Sequence, residues 1–284
     1  MSDIASVILA LVVGFLSVRF LMLAGREIFE SPVLQRTNYR DHLLPTAAGI
    51  FVVLGVLVVE AGRSTLGAFD IGDEPGVNAA RPLMLFACLG FGLLGFVDDI
   101  LASGEDRGFK GHLRALAAGR VTTGLLKIVG GAAVAFVLAS QDDFVSGKRL
   151  LSDAVLIALA ANLGNLLDRA PGRVIKVGLL AWIPIAIAAG TGELGVALAV
   201  VIGAFCGVFG DDLRERLMLG DTGANVLGAI LGLAVVLEYS RGVRNGVLVA
   251  LIVLNVAAEF VSFSRVIDRV PPLKRFDRLG RSQV

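Results

Sequence analysis

Long apolar blocks separated by short polar segments dominate the pattern of residues along the chain. A helix needs roughly 20 apolar residues to cross the hydrocarbon core of a bilayer, within a range of about 17–25. Nine blocks reach or approach this length, and the shorter ones suit tilted helices or a locally thinned bilayer. The predicted spans are Ile4–Gly25, Thr46–Ala61, Pro82–Val97, Val121–Ser140, Leu151–Leu167, Val174–Ala189, Leu194–Phe209, Thr222–Glu238 and Val243–Val261.

This pattern predicts an all-α protein, a polytopic membrane bundle of about nine transmembrane helices. A single membrane domain is expected over residues 1–284, with a basic tail at about 265–284. The first block is longer than the signal-peptide core of roughly 7–15 residues, so we expect it to be a retained span.

The composition supports the same class of protein. Hydrophobic residues make up 56% of the chain and charged residues 18%, whereas soluble domains have about 45–50% and about 25%. These values exclude a soluble globular enzyme, a disordered protein and a disulfide scaffold. No basic face is visible, so the bilayer is the expected partner and nucleic acid is not.

The distribution of Lys and Arg predicts the orientation of the bundle. The loops on the side of the first connection hold 18 of these residues, and the opposite loops hold six. The richer side is expected to be cytoplasmic, which places the N-terminus outside and the C-terminus inside. The predicted location is therefore the inner (plasma) membrane.

Charged and amide side chains gather at span ends that all lie on the predicted cytoplasmic side. Polar groups in or beside spans are costly and are functional candidates by default. The four clusters are Asp98 and Asp99; Asn162, Asn165 and Asp168; Asp211 and Asp212; and Asp221 with Asn225.

Helical spacing indicates how these clusters are arranged. Asn162, Asn165 and Asp168 step by three and share one wall of a helix end, and Asn225 shares a helix face with Asp221 four residues earlier. Asp221 is expected at an N-cap position. The adjacent Asp98 and Asp99 diverge by about 100° on a continuous helix, so convergence on one target would require a frayed helix end.

Several carboxylates with few histidines favour a hard cation such as Mg²⁺, with Mn²⁺ as an alternative, over zinc. Nearby Lys and Arg side chains suit phosphate groups. The residues alone therefore predict a Mg²⁺-assisted phosphate site at the cytoplasmic face.

Each cluster also has a simpler interpretation. The aspartates are equally compatible with solvated helix caps, and a single Asn in a span is often an interhelical contact. Asp211 and Asp212, followed by Arg214 and Arg216, are better explained as an ordinary charged loop. Lys127 would then extend to the interface along the surface of its helix.

The sequence resembles the polyprenyl-phosphate N-acetylhexosamine-1-phosphate transferase superfamily. That superfamily includes the phospho-N-acetylmuramoyl-pentapeptide transferases and the undecaprenyl-phosphate N-acetylglucosamine-1-phosphate transferases. The matching motifs, in family order, are Pro45–Gly49, Gly95–Asp99, Asn162-x-x-Asn165-x-x-Asp168 and Leu219–Ala224, with Ala224 in place of the family's serine.

The resemblance implies a helical bundle with a cytoplasmic active-site cleft, Mg²⁺ as cofactor, and a phosphotransferase acting on a polyprenyl phosphate. The lipid phosphate would attack the diphosphate of a UDP-sugar, forming a lipid-diphospho-sugar and UMP at the start of a cell-envelope glycan. Carried over to this chain, Asp98, Asp99 and Asp221 are the catalytic and metal-binding candidates. The substrate-binding candidates are Asn162, Asn165, Asp168, Lys127, Lys110 and Asn225.

The chain departs from the family in its smaller number of predicted spans and in its C-terminal region. The His-rich loop near the C-terminal end is missing, and the basic tail takes its place. This favours a GlcNAc-like donor over a muramoyl-pentapeptide donor. Two alternative functions stay open: an inactive paralogue that serves as a membrane partner in envelope assembly, and a transporter. A homodimer is a possible state of assembly.

Overall fold

The computed structural model describes residues 3–72, 79–101, 119, 121–141 and 146–281. Nine of its helices coincide with the nine predicted apolar blocks. They are α1 (Asp3–Ala24), α2 (Gly49–Gly67), α3 (Ala80–Leu101), α4 (Thr123–Ala139), α5 (Gly147–Leu167), α6 (Arg173–Ala189), α7 (Glu193–Leu213), α8 (Gly220–Glu238) and α9 (Arg241–Phe260).

Two short helices, α10 (Phe263–Arg269) and α11 (Pro271–Arg278), form the basic tail. The 3₁₀ turns Arg26–Glu30 and Pro32–Leu34 follow α1. A small antiparallel hairpin of β1 (Gln35–Thr37) and β2 (Leu43–Pro45) then leads into α2, with Arg36 paired to Leu44. The prediction of an all-α polytopic membrane protein is confirmed.

Seven of the nine helices are long and apolar enough to cross a membrane. The other two, α4 and α6, have 17 residues each, and α6 contains Pro184. The predicted number of nine spans and the predicted orientation therefore stay predictions.

Local chemistry explains where several helices begin. The side chain of Thr122 caps α4 by accepting from the Leu125 N–H at 3.1 Å. Ser146 caps α5 in the same way, so this helix begins four residues before the predicted block. A Ser or Thr oxygen at this position satisfies an N–H group that would otherwise lack a partner.

The core of the bundle is formed by α7 and α8. About three quarters of the apolar window of each is buried, 72% for α7 and 78% for α8, against 22% for α1 and 6% for α9. The principal neighbours are α1 for α7 and α3 and α5 for α8. The N-terminal end of α8 is thereby surrounded by the ends of the helices that carry the predicted site residues.

Candidate active site

Four side chains from four helices meet at the N-terminal end of α8. The Lys127 Nζ on α4 donates a hydrogen bond to Asp98 Oδ2 on α3 at 2.8 Å, and a second one to Asp221 Oδ2 on α8. Asn165 on α5 donates its Nδ2 to the same Asp221 oxygen at 2.8 Å. All four residues are sequence predictions, and the structure brings them together.

We call this group the carboxylate centre. Its side chains are largely buried but remain partly accessible to solvent. The side chains of Asp98, Lys127 and Asp221 are 16%, 22% and 25% exposed. Water is therefore limited around two carboxylates and one ammonium group, and their electrostatic interactions are stronger than on an open surface.

Two glycines allow the helices to approach closely enough to build the centre. A Cβ at Gly95 of α3 would overlap the backbone oxygen of Asp221, and one at Gly164 of α5 would overlap the backbone oxygen of Ala224. Small residues permit backbone contact between membrane helices. Gly95 precedes Asp98 by three residues and Gly164 precedes Asn165, so both contacts lie beside the functional side chains.

Asp99 has a different environment from its neighbour Asp98. Its Oδ1 accepts the Asp221 N–H at 3.0 Å, and its Oδ2 accepts the Thr222 N–H at 2.9 Å and the Thr222 hydroxyl at 2.6 Å. Asp99 thus satisfies the free N–H groups at the start of α8 from another helix. Thr222 was not among the predicted site residues, although its place directly after Asp221 was a usable signal.

Two geometric expectations are corrected here. Asp221 is not an N-cap, because α8 starts at Gly220 and Asp221 lies in its first turn. The α3 helix does not fray at Asp98 and Asp99 but continues to Leu101. The two carboxylates diverge as on any regular helix, and each reaches a different side of Asp221.

The Pro45–Gly49 motif positions the segment that precedes Asp221. Met218 N–H donates to the Pro45 oxygen at 2.7 Å, and Gly49 N–H donates to the Leu219 oxygen at 2.9 Å. Ala47 between them adopts a left-handed φ of 58°, which costs a non-glycine residue free energy and persists only where surrounding contacts impose it. The motif therefore supports the centre through the backbone.

Other predicted residues lie around the centre. Asn162 donates to Asn255 Oδ1 on α9 at 2.7 Å, which is the interhelical contact that a lone Asn in a span suggests. Asn225 is 4% exposed, and its Nδ2 has no hydrogen-bond partner among the described residues. Lys110 lies outside the described residues.

Asp168 follows the last residue of α5. Burial raises the pKa of Asp168 well above its ordinary value, and the negative charges of Asp212, Asp221 and Asp99 raise it further. Four aspartates therefore lie close enough to interact at this end of the bundle, and either a proton or a cation relieves their mutual repulsion.

Asp211 and Asp212 are not an ordinary solvated loop, because both lie at the buried end of α7. Asp211 pairs with Arg19 of α1 at 2.5 Å and with Arg216 at 3.0 Å. Asp212 accepts the backbone N–H groups of Gly172 at 2.9 Å and Leu219 at 3.3 Å. These contacts are structural and place neither carboxylate in the carboxylate centre.

The residues present fit Mg²⁺ with a small ligand set. Among the described residues, no group of three or more His, Cys, Asp or Glu side chains is arranged to hold a metal. Mg²⁺ typically takes only one or two carboxylates and completes its shell with water and phosphate oxygens. Asp98 and Asp221 supply oxygen ligands that already face one cationic group, the Lys127 ammonium.

Comparison with known proteins finds similarity to one kind of transferase. The chain is 24% identical to the phospho-N-acetylmuramoyl-pentapeptide-transferase of Borreliella burgdorferi, over 100% of this chain and 88% of the relative. The chain is similar to these transferases. Identity is 26% to that of Oceanobacillus iheyensis, over 99% and 92%, and 29% to that of Deinococcus radiodurans, over 79% and 72%. No family model matches.

These relatives confirm the resemblance that the motifs indicate. Their shared name describes a phosphotransferase, which confirms the predicted class of protein, an enzyme. The individual site residues stay predictions that rest on the geometry described above.

Proposed function

We propose that the chain catalyses Mg²⁺-dependent transfer of an N-acetylhexosamine-1-phosphate from a UDP-sugar to a polyprenyl phosphate at the cytoplasmic membrane face. The observation that carries this proposal is the convergence of Asp98 and Asp221 on one cation position, with Asn165 beside it. The similarity to phospho-N-acetylmuramoyl-pentapeptide transferases over the whole chain supports it.

In this reaction, a lipid phosphate oxygen attacks the phosphorus that carries the sugar. The bond from that phosphorus to the bridging oxygen breaks, and UMP leaves with the electron pair. Bound Mg²⁺ would neutralise negative charge on the reacting phosphates. Asp98 and Asp221 would hold it, with Asn165 orienting the Asp221 carboxylate through its hydrogen bond.

Lys127 and Asp99 would act beside the metal. Lys127 would move from its two carboxylate partners to a phosphate oxygen, because phosphoryl transfer depends mainly on positioning and charge neutralisation. Asp99 would act as a positioning residue, since both of its oxygens hold the start of α8. Its predicted role as a metal ligand is therefore weaker than that of Asp98 or Asp221.

The experiment is UMP release by the purified protein in nanodiscs with undecaprenyl phosphate, Mg²⁺ or Mn²⁺, and a panel of UDP-sugars. UDP-GlcNAc and UDP-MurNAc-pentapeptide are both needed, because the missing His-rich loop favours the first and the names of the relatives favour the second. We expect metal-dependent UMP release with one donor and none from Asp221→Asn, while the matched variant Asp211→Asn retains turnover.

If the folded wild-type protein releases no UMP with any donor of the panel, the proposal is contradicted. That result would support the alternative of an inactive paralogue that serves as a membrane partner. The transporter alternative would be preferred if Asp98, Asp168 and Asp221 were distant from one another, and the first and last of these are not. Their shared contact with Lys127 gives it no support.

A further inference from the structure

A polar cavity, separate from the carboxylate centre, lies beside the loop that follows α5. It has a volume of about 470 Å³, within the roughly 300–1,000 Å³ of small-molecule sites. None of its lining residues belongs to the carboxylate centre. Its wall is dominated by Arg40, Arg169, Arg173, Arg278 and Arg281, together with Tyr39. We call it the arginine pocket.

The framework of the pocket is rigidly built. Arg173, at the start of α6 and 5% exposed, forms two parallel hydrogen bonds with Asp277 of α11, at 2.8 and 3.1 Å. It donates a third to Ser264 of α10 at 2.8 Å. Burial alone would raise the pKa of Asp277, but Arg173, with Arg281 and Lys176, outweighs burial and holds that pKa below its ordinary value.

Lys176 completes this framework by fixing the end of α11. Its Nζ donates to the backbone oxygens of Asp277 at 2.8 Å and Leu279 at 2.7 Å. A cation at a helix C-terminus is favourable because it satisfies free carbonyl groups. The tail helices are thus held against α6 in one arrangement, and the pocket between them is preformed.

Other arginines keep donors available for a ligand. The Arg169 side chain is exposed and makes no hydrogen bond or ion pair within the part of the chain that the structure describes. Arg278 is 63% exposed, and its one ion pair in the described ranges is a 3.8 Å contact with Asp268. The buried Nη2 of Arg281 lies 2.6 Å from Asp277 but lacks the alignment of a hydrogen bond.

The charge balance of the lining selects an anion. Five arginines line the pocket against Asp268 and Asp277, and Glu215 outside the lining pairs with Arg40 at 3.3 Å, which still leaves an excess of positive charge. Guanidinium groups bind phosphate through two parallel N–H bonds and are less strongly hydrated than ammonium groups. The carboxylate centre has the opposite balance, so the two sites select ligands of opposite charge.

We propose that the arginine pocket between the α5–α6 loop and the tail helices is a binding site for a phosphate-bearing ligand. The source is either a soluble phosphate ester or the headgroup of an anionic lipid, since both present the same oxygens to the arginines. The inference does not rest on the proposed transfer reaction, because it requires neither the metal nor the carboxylate centre.

The test measures binding of inorganic pyrophosphate to the full-length protein by calorimetry, in phosphatidylcholine nanodiscs with EDTA. Removing two guanidinium contacts in Arg169→Gln/Arg278→Gln should weaken binding by about 100-fold or more, since each hydrogen bond to a charged group contributes roughly 1.5–3 kcal/mol. The matched control is Arg265→Gln/Arg269→Gln, which removes the same charge from exposed positions of α10 outside the pocket lining. We expect it to bind as wild type does.

A second arm identifies the source of the phosphate. Pyrophosphate binding in neutral nanodiscs that persists with phosphatidylglycerol supports a soluble ligand. Competition by phosphatidylglycerol that depends on Arg169 and Arg278 supports a lipid headgroup. The proposal is overturned if the protein shows neither pyrophosphate binding nor competition by phosphatidylglycerol. It is also overturned if the two double variants lose pyrophosphate affinity equally.

Asp221→Asn separates this inference from the proposed reaction. It should bind pyrophosphate in EDTA as wild type does, even though its transfer activity is lost. A parallel loss of pyrophosphate binding would place the anion in the carboxylate centre and overturn the pocket.

Discussion

Two apolar helices of the bundle each carry a pair of neighbouring aspartates near their C-terminal ends. Only one of the two pairs contributes a side chain to the carboxylate centre. Asp98 and Asp99 lie near the end of α3, and Asp211 and Asp212 lie at the end of α7. The C-terminal end of a helix is electrostatically unfavourable for carboxylates. Each pair must therefore be compensated by cations or N–H groups.

The compensation is similar for the second residue of each pair and different for the first. Asp99 and Asp212 both accept backbone N–H groups from another segment. Asp211 is neutralised by two arginines of its own. Asp98 instead shares a single lysine with Asp221. A shared cation leaves the carboxylates with an excess of negative charge, which is what a metal ion requires.

Within the two aspartate pairs, the largest expected effect is that of replacing Asp98. Asp98→Asn should reduce UMP release by about 10²- to 10³-fold, a loss typical of removing one group that stabilises transition-state charge. The free energy of unfolding should change little, because Lys127 keeps its ion pair with Asp221. Kinetics and thermal unfolding of the same preparation measure both. A stable variant with wild-type turnover would remove Asp98 from the metal site.

Asp99→Asn should affect stability and activity together. It replaces one acceptor oxygen by an NH₂ group facing N–H donors, which costs about 2 kcal/mol of unfolding free energy. Turnover should fall because the start of α8 positions Asp221. Unfolding monitored by circular dichroism, alongside UMP release, measures the two effects. Unchanged stability with abolished turnover would assign Asp99 to substrate or metal instead.

Asp212→Asn should lower the free energy of unfolding without lowering turnover. The variant weakens the hold on the Gly172 and Leu219 N–H groups, with an expected loss of about 1–2 kcal/mol in unfolding free energy. Turnover should persist, since Asp212 touches none of the side chains around Lys127. If turnover fell as far as in Asp98→Asn, the two pairs would have equivalent roles and the comparison would fail.

The smallest effect is expected for Asp211→Asn. The Asn oxygen still accepts from Arg19, and partly exposed ion pairs contribute about 0–1 kcal/mol. Thermal unfolding should shift slightly and UMP release should be unchanged. A loss comparable to that of Asp221→Asn would show that the end of α7 belongs to the active site.

The sequence predicts the helices of this protein well because apolar block length determines them. Polar groups beside spans predict Asp98, Asn165 and Asp221 as site residues, the family resemblance adds Lys127, and the structure brings these four side chains together. The sequence does not distinguish Asp98 from Asp99, since helix rotation and the close contact at Gly95 decide which carboxylate faces α4. Nor does it reveal the Arg173–Asp277 pair, whose partners are 104 positions apart.

The ammonium of Lys127 occupies the position between the two carboxylates, and this has a consequence for how the protein is made. Two unpaired carboxylates in a membrane bundle would otherwise oppose its assembly. With an internal counter-ion, α3, α4 and α8 can insert and pack before any divalent ion is present. If the carboxylates bind Mg²⁺ as proposed, assembly of the bundle would not require the metal to be present first.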